Sequence, residues 1–117
     1  MTVVLVDARN VLRSRWPNIP EDDLVELCRA WANDNSVEVV VVFDGRAPVT
    51  AEDVVGTGAE SADDWITREA ERLADAGRPY WLVTSDRELK ARAGGNAQRT
   101  IGGGSFAGRL SSGFNTL

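Results

Sequence analysis

Val3-Val4-Leu5-Val6-Asp7-Ala8-Arg9-Asn10 is the stretch on which the fold turns. Four consecutive apolar residues, three of them β-branched, run without polar alternation and stop at an acid. Such a run describes a strand covered on both faces, the condition of a parallel sheet wrapped by helices. Three further segments have the same character: Val37 to Phe43 apart from Glu38, Tyr80 to Val83, and a weaker Arg99 to Ile101.

Helical segments alternate with these strands. Pro20 presets a first turn, Glu21, Asp22 and Asp23 complement its dipole, and Leu24, Leu27, Cys28 and Trp31 recur at helical spacing. Ser61 reads as the N-cap of a helix whose apolar face is Ala62, Ile66, Ala70, Leu73 and Ala74, ending near Gly77. Ser85 with Glu88 reads as a capping box for a short helix to about Ala93, and Ser105 to Leu110 as a last one. Residues 45–59, with Pro48, Gly56 and Gly58, read as one long loop. The expected fold is a single α/β domain over residues 1–117, a small three-layer Rossmann-like unit with a parallel four-stranded sheet.

Composition narrows the chemistry. The chain has no histidine, so it lacks an imidazole base, a Ser-His-Asp triad and any two-histidine ribonuclease mechanism. One cysteine excludes an internal disulfide and a paired-cysteine zinc site. No signal-peptide pattern opens the sequence and no apolar run approaches a membrane span, so a cytoplasmic protein without membrane contact is expected.

Carboxylates, by contrast, fall in telling places. Asp7, Asp44 and Asp86 follow the ends of successive strands, and Asp63 and Asp64 sit in the first turn of the helix before the third. Ligands of open α/β sheets bind beyond the carboxyl ends of strands, beside the point where strand order reverses. An order of 2-1-3-4 puts that point next to Asp7. Crowded carboxylates repel, and an all-oxygen donor set suits Mg²⁺ or Mn²⁺. Each acid also has a structural use. Asp63, Asp64 and Asp86 sit where helix dipoles favour acids, and Asp44-Gly45 is a common turn. Asn10 serves equally as a ligand to the site or as a turn former. Gly102 to Gly104 has the look of a phosphate cradle, though loops are rich in glycine anyway. Trp16, in a polar neighbourhood, suits either a core or the stacking of a base.

The net charge of −5 divides unevenly, −9 over residues 1–86 and +4 over residues 87–117. An acidic pocket beside a basic segment is what a phosphodiester-cleaving enzyme requires, and Arg46, Arg87 and Lys90 are the candidates for contact with a nucleic-acid backbone.

The segments that carry these acids form five motifs in order: Val4 to Val11, Val42 to Gly45, Glu60 to Ile66, Val83 to Leu89 and Ile101 to Phe106. Together they resemble the NYN domains of the PIN-like nuclease superfamily, and within them the YacP-like subgroup. The resemblance implies a metal-dependent endoribonuclease holding one or two Mg²⁺ or Mn²⁺ ions, and one branch of the family includes a ribosome-associated enzyme. RNA, and through that branch the ribosome, are the implied partners. Carried over to this sequence, Asp7, Asp64 and Asp86 become the principal catalytic and metal-binding acids. Asp44 and Asp63 become supporting metal ligands, and Asn10 and Ser85 orient ligands or the phosphate. On this resemblance Asp64→Asn is expected to abolish cleavage. The sequence departs from the family in having Ala8-Arg9 where Gly-Tyr is usual.

The alternative is a non-catalytic RNA- or ribosome-binding module with the same fold, which would gain nothing from carboxylates that repel phosphate. A phospho-receiver domain would place a lysine after the last strand, whereas Lys90 precedes it. A haloacid-type phosphatase needs an Asp-x-Asp motif after the first strand, and here the third position is Arg9.

Overall fold

Because successive strand side chains point to opposite faces, the apolar run at residues 3–6 feeds two cores at once. In the computed structural model, which describes residues 1–15 and 18–114 and side chains as far as residue 110, this run is strand β1 (Val3–Asp7), buried along its whole length. Val4 and Val6 pack into one core, Val3 and Leu5 into the other. β2 (Glu38–Phe43) divides in the same way, with Val39, Val41 and Phe43 on the first face and Val42 on the second. Each such fully buried side chain contributes about 1.5–3 kcal/mol.

Helices α1 (Ala8–Arg13), α2 (Glu21–Asp34) and α5 (Gly103–Phe114) cover the first face through Val11, Leu24, Cys28 and Phe106. Helices α3 (Ala62–Asp75) and α4 (Arg87–Ala93) cover the second through Ile66, Leu73 and Leu89. The three-layer expectation therefore holds.

The sheet has five parallel strands rather than four. To β1, β2, β4 (Tyr80–Val83) and β5 (Arg99–Ile101) it adds β3 (Val54–Gly56), giving the order β3-β2-β1-β4-β5. Without β3 the order is the 2-1-3-4 arrangement that sets the reversal beside Asp7. The extra strand lies inside the segment read as a long loop. It has three residues, of which only Val54 is buried, and pairing with Val41 to Phe43 at the sheet edge defines it. A segment that short carries no period of its own.

Two local expectations also shift. The N-cap of α4 is Asp86, whose carboxylate accepts from the Leu89 amide at 3.0 Å, so the helix starts one residue later than the capping box Ser85/Glu88 implied. Helix α1 was not anticipated. It has six residues, no acid in its first turn and no side-chain cap, because the carboxylate of Asp7 at its N-cap position is engaged elsewhere. Among the described residues no helix is long and apolar enough to cross a membrane.

Candidate functional site

The reversal of strand order at β1 opens a crevice at the carboxyl ends of β1, β2 and β4. Asp7, the last residue of β1, is 6% exposed and takes a 2.9 Å hydrogen bond at Oδ2 from the Thr84 hydroxyl, just past β4. The Thr84 oxygen in turn accepts from the Asp86 amide at 3.1 Å. One buried threonine thus fixes Asp7 and holds the backbone from which Asp86 projects. Burial pushes the Asp7 carboxyl up to about 6. Asp63 and Asp44 push the same way, against the opposing Thr84 hydrogen bond.

The cleft above Asp7 has a volume of about 260 Å³, and four carboxylates line it: Asp7, Asp44, Asp63 and Asp86. Asp44 follows β2, and its Oδ1 accepts from the Ala62 amide at 2.8 Å, which ties the end of β2 to the start of α3. Gly45, at φ +72°, turns the chain away from the cleft immediately afterwards. Asp63 is half-buried, and its carboxyl is raised by burial and by the charges of Asp86 and Asp44. Two groups here resist ionisation because they are crowded by like charge and removed from water.

Asp64 is placed differently. It lies outside the cleft lining, on the exposed side of α3, where its Oδ1 accepts from Arg92 at 2.7 Å. That guanidinium holds its carboxyl below the ordinary range. Its backbone amide donates to the N-cap Ser61. Helical geometry contains the reason. Asp63, Ile66 and Ala70 follow one another at i, i+3 and i+7, and Ile66 and Ala70 are in the core, so Asp63 looks inward and its neighbour does not. That periodicity is present in the sequence and distinguishes the pair.

Asn10 and Ser85 form a clamp at the edge of the cleft. Asn10 Oδ1 accepts from the Ser85 amide at 2.8 Å, and Ser85 Oγ accepts from the Gly103 amide at 2.8 Å. The junctions after β1, β4 and β5 are thereby joined. The glycine run at 102–104 serves this close approach: the Gly103 amide, which a phosphate cradle would offer, is already taken by Ser85. Of the candidate backbone contacts, Arg46 lines a cavity adjoining the cleft, whereas Arg87 and Lys90 line neither. Arg9 and Arg13, passed over as contacts in the sequence, line both. Trp16 lies outside the described residues.

An all-oxygen, acid-rich cleft has the donor chemistry of a hard divalent cation. Among the described residues, however, no group of three acids stands close enough to hold an ion as the side chains lie. Mg²⁺ does not require such a cage. It keeps several waters and commonly takes only one or two protein carboxylates, the rest of its shell reaching the protein through water and substrate phosphate. The donor set fits that mode, with Asp7 as the rigid member.

No family model matches the sequence, and no curated protein does. Solved structures do match. Rae1 (YacP) from Bacillus subtilis superposes with a TM-score of 0.72 at 21% identity, covering 96% of this chain and 75% of that one. A single-substitution variant of the same protein gives 0.76 at 22% identity, covering 96% and 76%. The chain therefore has the YacP-like NYN fold along nearly its whole length.

Proposed function

We propose that the chain is a metal-dependent endoribonuclease whose reaction centre is the cleft of Asp7, Asp44, Asp63 and Asp86. The observation that carries this is a buried carboxylate, Asp7, at the end of the central strand of a YacP-like NYN fold, facing three further acids. Bound there, Mg²⁺ or Mn²⁺ would supply a water of lowered pKa and neutralise charge on the phosphate. Asp7 is the fixed point of the site, held by Thr84, while Asp63 and Asp86 bring carboxylates from the starts of α3 and α4. Asn10 and Ser85 keep the rim at a set distance from Asp7. Attack by water rather than by the 2′-hydroxyl leaves a 5′-phosphate and a 3′-hydroxyl, consistent with a chain that has no histidine for the alternative. The proposed setting is the cytoplasm, with RNA as the substrate and the ribosome as the partner through which it is presented.

Incubation of a labelled single-stranded RNA with the protein tests the proposal. Cleavage is expected with Mn²⁺ or Mg²⁺ and is expected to stop with EDTA. The positions of the two adjacent acids move the expected loss from Asp64 to Asp63. Asp63→Asn should lower the cleavage rate by about 100-fold, the size of effect seen when a group orienting a metal site is lost. Asp64→Asn, which removes an exposed partner of Arg92, should change it only a few-fold. Cleavage that survives both EDTA and Asp63→Asn would overturn the assignment. That no three acids among the described residues stand close enough to hold an ion favours a second reading, a binding module without catalysis, and RNA binding with no metal-dependent product would establish that instead.

A further inference from the structure

We propose that the cavity walled by Arg9, Arg13 and Arg46 is a phosphate-binding subsite, seating single-stranded RNA next to the bond presented to the acidic cleft. The inference rests on the endoribonuclease reading for the strand's destination. Its own support is a separate set of residues.

Arg9 and Arg13 lie four apart on α1 and so project from one side of it. Arg46 comes from a different element, the turn that Gly45 begins after β2. With Leu12 and Phe43 they line an open cavity of about 320 Å³, within the usual range for small-molecule sites of about 300–1,000 Å³. This cavity shares Arg9, Arg13 and Asp44 with the acidic cleft, so the two form one continuous trough with a basic arm and an acidic end. The apolar backing suits a sugar or base edge, and the guanidinium groups suit phosphate oxygens in bidentate geometry.

A shared cavity together with weak pairing sets these arginines apart, since Arg87 and Arg109 are equally without an ion pair among the described residues but line neither cavity. Five others are committed to carboxylates: Arg29, Arg68, Arg72, Arg78 and Arg92. Arg13 and Arg46 hold no hydrogen bond or ion pair among the described residues. Arg9 has only a 3.9 Å approach to Asp44, with its side chain 58% exposed, a pairing that solvent and salt weaken. Three guanidinium groups face two carboxylates, Asp44 and Glu21, in the cavity lining, which leaves an excess of one positive charge. Unspent positive charge in a concave site next to a phosphodiester-handling cleft draws in a polyanion.

The test is binding of a short fluorescent uridine oligomer in EDTA, from low to moderate salt, so that no cutting occurs. Each phosphate contact in a single strand contributes about 0.7 to the slope of log affinity against log salt. Arg13→Ala/Arg46→Ala is expected to weaken binding at least about tenfold and to reduce the slope by about 1.4. Arg72→Ala, on the far part of α3, removes one charge and should change neither. Melting temperatures of all variants should match the parent. Wild-type binding too weak to detect at low salt would overturn the proposal, as would a double variant that binds like wild type or an equal loss with Arg72→Ala. The outcomes separate the two proposals. Arginine-dependent binding without Mn²⁺-dependent cleavage sinks the nuclease reading and keeps the subsite, whereas cleavage with arginine-independent binding does the reverse.

Discussion

Replacing Asp7 by asparagine is expected to abolish RNA cleavage and, at pH 7, to raise the melting temperature by several degrees. The carboxyl is pushed from 3.8 to about 6, chiefly by burial, with Asp63 and Asp44 adding repulsion. Between those values the unfolded chain has lost a proton that the folded chain still holds. The folded state binds more protons there, so stability falls as pH rises through the window. A displacement of that size costs about 3 kcal/mol once pH exceeds 6. Asparagine carries no charge, and its amide oxygen can still accept from the Thr84 hydroxyl, so the cost disappears while the 2.9 Å hydrogen bond is kept. At pH 4 the two proteins should melt together. Adding Mn²⁺ should raise the melting temperature of the wild type, by mass action on the folded state, and leave the variant unmoved. Thermal melts at pH 4 and 7, with and without Mn²⁺, check this. A variant that melts lower than wild type at pH 7 would show that Asp7 is held for the fold and not for the site.

The same buried acid explains how far the sequence could be read. Continuous apolar runs report strands covered on both faces, and β1, β2 and β4 are recognisable because burial selects their residues directly, whereas β5, with only Ile101 buried, gives a weaker signal. Strand-end acids point to the crevice for the same reason, since Asp7 directly follows four apolar residues. The elements that escaped are those whose definition is non-local. β3 depends on pairing with β2, and α1 is too short to show a period. The start of α4 is decided by Thr84, which takes the Asp86 amide and leaves the Asp86 carboxylate to cap Leu89. Without α1 recognised as a helix, Arg9 and Arg13 had no common side, and the basic wall of the trough was invisible. Lys90 and Arg87 stand out in the sequence by charge alone, and from α4 they line neither cavity.

Gly103→Ala is expected to cost about 2–6 kcal/mol in stability and most of the activity, although the residue carries no functional group. A Cβ at this position would lie 2.1 Å from Asn10 Oδ1 and 3.1 Å from the Asn10 carbonyl oxygen. The backbone oxygen cannot withdraw without moving α1, so the Asn10 side chain must leave. Doing so breaks its 2.8 Å bond from the Ser85 amide and strains the adjoining bond from Gly103 to Ser85. Loss of a hydrogen bond to a constrained amide costs about 1–3 kcal/mol, and overpacking adds about 1–3 kcal/mol. Activity should suffer beyond stability, because Ser85 precedes Asp86, and releasing the clamp frees a loop that positions an acid of the cleft. Gly104→Ala provides the comparison. Its Cβ would meet nothing closer than Ser14 Cβ at 3.9 Å, an ordinary contact, and the position lies in the first turn of α5. That variant should be neutral or gain about 0.5–1 kcal/mol from reduced backbone freedom in the unfolded chain. Denaturant unfolding and cleavage assays on both variants decide the matter. Equal behaviour would mean that the glycine run is loop composition, whereas a loss confined to Gly103 locates the requirement in the contact between α5 and Asn10.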